Sequence, residues 1–359
     1  MTPRLRLALI LAGLLLALLA AGGAGAWWAL QSWMRSPGPA AQQVVVILPR
    51  GVGLAGIAQR LGEAGVVDRP WLLQLMARLT ERDRRLQAGE YAFPPGSTPD
   101  AVLARLERGE ILLHPVTLAE GLTVAEMFSA LAANPVLSGE LPPAPAEGLL
   151  LPETFLVPRD EPRARLVEKM QAGMREALAA AWEGRSDGLP LANADEMLAL
   201  ASIIEKETAL PAEYPVVAAV FLNRLRKGMP LQTDPTVIYA VTGGRGPLGR
   251  ALTRADLDTD HPYNTYRNPG LPPGPIANPG RGALEAAGHP AEVGYLYFVA
   301  DGKGGHAFAT TLAEHNRNVA RWRRARDAGG EPCRGRKKSP VPACASATGA
   351  TRICPRSRR

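Results

Sequence analysis

Cysteine is nearly missing from this chain: Cys333, Cys344 and Cys354 are the only three in 359 residues, and none precedes residue 331. No disulfide framework therefore holds the main body, and spacings of eleven and ten residues miss the close Cys pairs of zinc and redox centres. Histidine is scarce as well. His306 and His315 come with no H-E-x-x-H pattern or regular ligand set, so no metal and no cofactor is expected, and both are read as hydrogen-bonding groups of a closing strand and helix. Ser202 lacks the Gly-x-Ser-x-Gly elbow of a serine hydrolase. Net charge is also missing from the body. Residues 331–359 hold eight basic groups and one acidic group, which accounts for the whole formal charge of +7. That removes the case for a specific nucleic-acid partner, and a Pro/Ser/Arg/Lys-rich segment without apolar periodicity reads as a disordered tail.

One long apolar run is present. From Leu7 to Met34 there is no charged residue, Arg4 and Arg6 precede the run, and Trp27, Trp28 and Trp33 gather at its far end. About 20 apolar residues suffice to cross a bilayer, so a single transmembrane helix over 7–30 is expected, with the N-terminus cytoplasmic and the tryptophans as an outer aromatic belt. Ala24-Gly25-Ala26 offers the alternative of a cleaved signal peptide; either reading exports the remainder.

The remainder is long enough for two domains, and the expected class is α+β. After a linker over 31–43, Val44 to Leu48 reads as a strand and Leu54, Ile57, Ala58 and Leu61 as a helix. Trp71 to Leu79 reads as a second helix, Leu86 to Phe93 as a strand, Thr98 to Arg108 as a helix and Leu112 to Leu118 as a strand. Thr123 and Glu126 have the spacing of a capping box. This first module is placed at 44–140, closed by the Pro-rich Leu141 to Pro145. A second domain at 147–326 carries helices over about Glu161 to Trp182, Asp195 to Thr208 and Glu213 to Lys227. The proline density from Pro262 to Gly280 excludes helix and central strand, so an ordered loop is expected, with tyrosines, asparagines and carbonyls suited to a sugar groove. Residues 327–359 form the basic tail, and 1–6 the cytoplasmic N-terminus.

Two glutamates close the apolar run Met197 to Ile204. At about 100° per residue, Glu205 falls on the face of Leu198, Ala201 and Ser202, whereas Glu207 points to the other side. Glu205 is therefore the expected buried carboxyl, able to hold a proton for donation, and Glu207 the one expected to stay ionised. Both could instead solvate a helix end and pair with Lys206.

Several strings occur in order: Leu151-Pro-Glu-Thr-Phe155, Leu200-Ala-Ser-Ile-Ile-Glu-Lys-Glu-Thr208, Val220-Phe-Leu-Asn-Arg-Leu225, Leu231-Gln-Thr-Asp-Pro-Thr-Val-Ile-Tyr-Ala240, Pro262-Tyr-Asn-Thr-Tyr266, and Gly270 to Gly280. Gly304-Gly-His-Ala-Phe308 and Glu314-His-Asn316 follow. In these the chain resembles the membrane-anchored YceG-like family of endolytic murein transglycosylases, from Thr2 to about Arg324. Leu118-Ala-Glu-Gly121 departs from the family's more usual Pro-Glu-Gly, and Glu153 stands where Asp is common.

The resemblance implies a LysM-like first module and a catalytic domain with a Pro/Gly-rich substrate loop. Its essential glutamate maps to Glu205, which cleaves the bond between N-acetylmuramic acid and N-acetylglucosamine within peptidoglycan glycan strands and leaves a 1,6-anhydromuramoyl end. It further implies work at the inner membrane beside peptidoglycan synthases (penicillin-binding proteins), limiting nascent strands. One carboxyl suffices for such a reaction, and no second is obvious in the sequence. Ser202, Asn223, Gln232, Asp234, Tyr239, Asn264 and Tyr266 have side chains suited to hold the glycan, Asp234 with the alternative of capping a turn. The competing reading is a non-catalytic, anchored scaffold that binds peptidoglycan.

Overall fold

The computed structural model describes residues 3–328; the three cysteines and almost all of the predicted tail lie outside them. The chain opens with helix α1, Pro3–Arg35, of which Leu9–Arg35 is long and apolar enough to cross a membrane, with a mean hydropathy of 2.2. The expected linker after residue 30 is not where the helix ends. α1 continues to Arg35, Trp33 and Met34 are buried with Leu30 beside them, and Trp33 Nε1 donates to Asp68 Oδ1 at 2.9 Å. Trp33 is thus a core residue of the first module rather than part of a belt, because its indole finds both an apolar bed and an acceptor there.

That module is built from β1 (Val44–Leu48), α2 (Leu54–Glu63), α3 (Pro70–Leu79), β2 (Gly89–Phe93) and α4 (Pro99–Arg108), with β1 and β2 antiparallel. Alternation along β1 buries Val46 and Leu48, and the helices add Leu61, Leu73, Met76, Leu103 and Leu106 to one core. Thr98 caps α4 through its side chain, and Gly109 ends that helix at φ +62°.

Next come β3 (Leu113–Thr117), α5 (Val124–Ala133), β4 (Leu137–Ser138), β5 (Thr154–Pro158), β6 (Glu161–Pro162) and α6 (Arg163–Gly184). The capping box at α5 forms as the spacing predicts. β3 pairs with β5 antiparallel, and Val116, Met127, Leu131, Leu150, Val157, Leu166 and Met170 share a core. Residues on both sides of the Pro-rich segment 141–145 therefore pack together. Buried Glu90 of β2 ties the two cores, with its Oε2 at 2.5 Å from His114 Nε2 and at 3.1 Å from Arg159 Nε.

The remaining elements are α7 (Ala194–Glu207), α8 (Tyr214–Arg226), α9 (Asp234–Thr242), α10 (Arg254–Leu257), α11 (Arg281–Gly288), β7 (Tyr297–Ala300), β8 (His306–Ala309) and α12 (Leu312–Ala328). Asn193 caps α7 by accepting from Glu196 N, and every residue from Met197 to Ile204 is buried. α7 is thus a central helix, packed by α6, α8, α9 and α11. Between α10 and α11 the chain forms only turns and bends, as its prolines dictate. A separate compact unit begins at Gly294; in it β7 and β8 form an antiparallel hairpin, His306 meets the Phe298 ring edge-on and His315 stacks on Tyr297.

Candidate active site

The C-terminal end of α7 carries two carboxylates in different surroundings. Glu205 is half-buried and both its oxygens accept hydrogen bonds: Oε1 from the Tyr214 hydroxyl at 2.9 Å and Oε2 from Gly280 N at 3.0 Å. The two donors belong to separate elements. Tyr214 opens α8, and Gly280 is the N-cap of α11, where the helix dipole presents its positive end. Tyr214 is buried, and that burial together with the Glu205 charge pushes its hydroxyl far above the ordinary tyrosine value, so it stays a donor.

A third carboxyl lies nearby. Glu120, on the segment joining β3 to α5, is exposed, and its pKa is raised first by partial burial and then by the charges of Glu205 and Glu153. A β-carbon at Gly280 would lie 1.8 Å from Glu120 Oε1, so that glycine makes room for Glu120 on one side while its N–H holds Glu205 on the other. Gly121, at φ +74°, approaches Glu205 closely: a β-carbon there would lie 3.4 Å from Glu205 Cγ. Neither Glu120 nor Tyr214 is legible as a site residue from spacing. The departure at Leu118-Ala-Glu-Gly121 was the one available signal for Glu120.

Glu207 is not the solvated, ionised partner that the helical-face argument expects. Burial, then the neighbouring Asp234 charge, pushes its carboxyl up to about 7, with Arg224 and Thr233 pulling the other way. The single-face argument fails because α7 is enclosed: the chain after α8 folds back over the Glu207 side.

The expected glycan-holding residues divide. Ser202 is fully buried, donates to Ala199 O at 2.7 Å and accepts from Ile276 N at 3.0 Å; its hydroxyl pins the Pro/Gly-rich loop to α7 and is not open to a ligand. Asn264 is likewise buried, with its amide on Leu257 O and Thr259 O and its oxygen accepting from Tyr266 N. Asn223 donates to Val293 O at 2.8 Å, about 13 Å along α8 from Tyr214 at 1.5 Å per residue, away from Glu205. In all three, polar side-chain atoms are engaged within the protein: backbone groups meet those of Ser202 and Asn264, and Asn223 Oδ1 accepts from Arg226 Nη1 at 3.2 Å.

Gln232, Asp234 and Tyr266 gather on the Glu207 side. Tyr266 donates to Asp234 Oδ1 at 2.7 Å, and Gln232, exposed at φ +51°, holds a backbone conformation that costs a non-glycine residue free energy. Tyr239 faces Glu147 and packs on Tyr263 with ring centroids 4.8 Å apart; burial and the Glu147 charge push its hydroxyl up to about 12. Glu147 Oε1 accepts from Val124 N at 2.8 Å and from Asn278 Nδ2 at 3.1 Å. Pro272, Pro273 and Pro275 line, with Glu147, Asn193 and Tyr263, a cavity of about 480 Å³. The turn-rich loop thus forms the wall of a concave surface along the N-terminal half of α7, where Asn193, Asp195 and Leu198 line it, and not at the Glu205 end.

Residues 46–321 match the YceG-like family. The chain is 32% identical over 306 residues to a protein of Bacillus subtilis (strain 168) named endolytic murein transglycosylase, covering 76% of this chain and 83% of that one. It is 30% identical to the protein of the same name from Streptococcus pneumoniae serotype 2, covering 85% of this chain and 63% of that longer relative. A crystal structure of a yceG-like protein from Listeria monocytogenes, 28% identical, aligns with 77% of this chain and 99% of that one at a TM-score of 0.49. By the extent of the family match and the identity to full-length relatives, this chain belongs to the YceG-like family.

Proposed function

We propose that the chain is a peptidoglycan lytic transglycosylase that cuts glycan strands internally, with Glu205 as its acid and base. The observation that carries this reading is the fixed carboxylate: two donors from separate elements hold Glu205 at the end of a buried helix, beside a turn-rich loop. The names of the relatives supply the substrate class.

In the proposed reaction, Glu205 in its protonated form gives its proton to the oxygen between N-acetylmuramic acid and N-acetylglucosamine, and the C1–O bond breaks with its electron pair leaving on that oxygen. The muramoyl ring is left as an oxocarbenium-like cation. Glu205, now a carboxylate, takes the proton of the C6 hydroxyl as that oxygen bonds to C1, which closes a 1,6-anhydro ring and consumes no water. One carboxyl thus does both proton transfers, whereas hydrolysing glycosidases use two carboxylates. Tyr214 and Gly280 N orient the carboxyl, which restricts its search for the reacting oxygen. Exposed Gln232 and Asp234, with half-buried Tyr266 and Tyr239, are the expected residues still open to a glycan.

A second reading places the acid at Glu207, because a carboxyl near pKa 7 suits proton donation. It is the weaker one, since the carboxyl oriented by two donors from separate elements is Glu205, and the family resemblance maps the essential glutamate there.

The wider role follows the same reading: α1 anchors the enzyme in the inner membrane with its body outside, the module at 44–140 is LysM-like and holds glycan, and cutting close to the synthases limits nascent strands. The apolar length of α1 and the compact β1-to-α4 part of that module, residues 44–108, support it, while residues 113–138 pack with the segment after 150. Added protease should digest the body in spheroplasts, and full protection would contradict that orientation. Incubating the full-length chain with purified glycan strands tests the activity. Accumulating 1,6-anhydromuramoyl ends are expected; saturable binding with intact strands would make the protein a scaffold.

A further inference from the structure

We propose that Glu120 is a second carboxylate of the reaction site, whose negative charge faces the cation that develops on the sugar ring while Glu205 moves the proton. The inference rests on the reading of Glu205 as acid and base.

The backbone that carries Glu120 is held in place by its neighbours. Gly121 N donates to Asn278 O at 2.9 Å, Asn278 N returns a bond to Leu122 O at 2.9 Å, and Lys206 Nζ donates to Gly121 O at 3.0 Å. Asn278 itself is fully buried, and its side-chain oxygen accepts from Leu150 N. The segment 120–122 is therefore laced both to the end of α7 and to the loop that leads into Gly280.

Gly280 fixes the spacing between the carboxylates. Its N lies 3.0 Å from Glu205 Oε2, and the position a β-carbon would take lies 1.8 Å from Glu120 Oε1. With standard backbone geometry these distances keep the two oxygens within about 7 Å of each other, a reach at which two carboxylates serve one glycosidic bond. Glycine at this position, whose φ of −80° any residue adopts, is thus explained by space for Glu120 rather than by backbone conformation.

The groups that act on Glu120 are Glu205 from α7, Tyr214 from α8, and Glu153, itself bound to Arg281 at 2.6 Å, while the Lys206 amine bonds the neighbouring Gly121 carbonyl. Among the described residues Glu120 forms no ion pair, so its charge is not spent on a protein cation. A structural glutamate so close to another carboxylate would only add repulsion; one that meets a transient positive charge has a use for it. In the reaction Glu120 neither gains nor loses a proton. The bonds that form and break are those already described, and Glu120 lowers the cost of the cation between them.

The test compares wild type, Glu120→Gln, Glu120→Asp and Glu205→Gln, each as the full chain acting on purified glycan strands across pH. A charge worth about 1–2 kcal/mol in a half-solvated site predicts that Glu120→Gln lowers kcat roughly tenfold or more with KM within about twofold. Activity that needs ionised Glu120 falls as pH falls through its raised pKa, so this acidic limb should vanish in Glu120→Gln, while Glu120→Asp recovers part of kcat. A kcat within about twofold of wild type and an unchanged acidic limb in Glu120→Gln would overturn the proposal, as would a loss matched by a drop in melting temperature that Asp does not rescue. If Glu205→Gln also kept wild-type turnover, the assignment of Glu205 would fall with it; if Glu205→Gln were inactive, only the role of Glu120 would fall.

Discussion

Glu205 and Glu207 stand two residues apart on one helix end, yet the fold treats them in opposite ways. The Glu205 side is organised by donors, a phenol and a backbone N–H, and opens beside a second carboxylate that a glycine accommodates. On the Glu207 side the chain returns over the helix while Gln232 and Asp234 stay exposed, and burial of the carboxyl, more than hydrogen bonding, raises its proton affinity. A raised pKa alone would pick Glu207 as the acid. The proposal takes Glu205 on its hydrogen-bond geometry instead, and the contrast teaches that a perturbed carboxyl marks where the protein has excluded water, which at the end of a buried helix is as readily packing as chemistry.

The largest effect should come from Glu205→Gln, which keeps the shape and removes the transferable proton. Strand cleavage should fall about 10²–10⁴-fold, with glycan binding retained, whereas Glu207→Gln should stay within a few-fold of wild type; the reverse ranking would move the site to the other side of the helix. Gly280→Ala comes next. Its methyl group would collide with the flexible end of Glu120 and not with backbone, so the protein should fold normally and lose roughly the tenfold expected of Glu120→Gln. Wild-type turnover in folded Gly280→Ala would show that the placement of Glu120 is incidental. Tyr214→Phe removes one of the two donors on Glu205 and should cost only several-fold in kcat, read in the same assay, because Gly280 N still holds the other oxygen.

The smallest effect concerns stability on the Glu207 side. Glu207 binds its proton more tightly in the folded chain, near 7, than at its ordinary value of 4.5. The folded state therefore loses stability as pH rises from about 4.5 to 7 and loses no more above that range. Glu207→Gln should abolish this slope and raise the melting temperature by a few degrees at pH 8 relative to its effect at pH 4. Equal effects at both pH values would mean that Glu207 is solvated after all.

Local patterns carried much of the fold. The capping box at Thr123, the β-branched run of β1 and the apolar run of α7 are each decided within a few residues, and each takes the form its sequence predicts. What escaped are consequences of distant contacts. Trp33 reads as a belt residue until Asp68 and the module core are brought to it, 35 positions along the chain. Ser202 and Asn264 read as ligand-holding groups until Ile276 N and two loop carbonyls claim them. The helical-wheel argument for Glu205 and Glu207 assumes one covered face, and α7 has partners all around. Glu120 is marked in sequence only by the Leu118-Ala-Glu-Gly121 string, since it meets Glu205 only where Gly280 lets both approach.

The central claim is that one carboxyl at Glu205 both gives and takes the proton, which leaves no step for water. Digestion of glycan strands by the full-length protein in oxygen-18-enriched water, followed by mass spectrometry of the new chain ends, tests this directly. The account predicts 1,6-anhydromuramoyl ends free of the heavy isotope and none at all with Glu205→Gln. Reducing muramoyl ends that carry one heavy oxygen per cut would contradict it, because water and not the C6 hydroxyl would then have attacked the anomeric carbon.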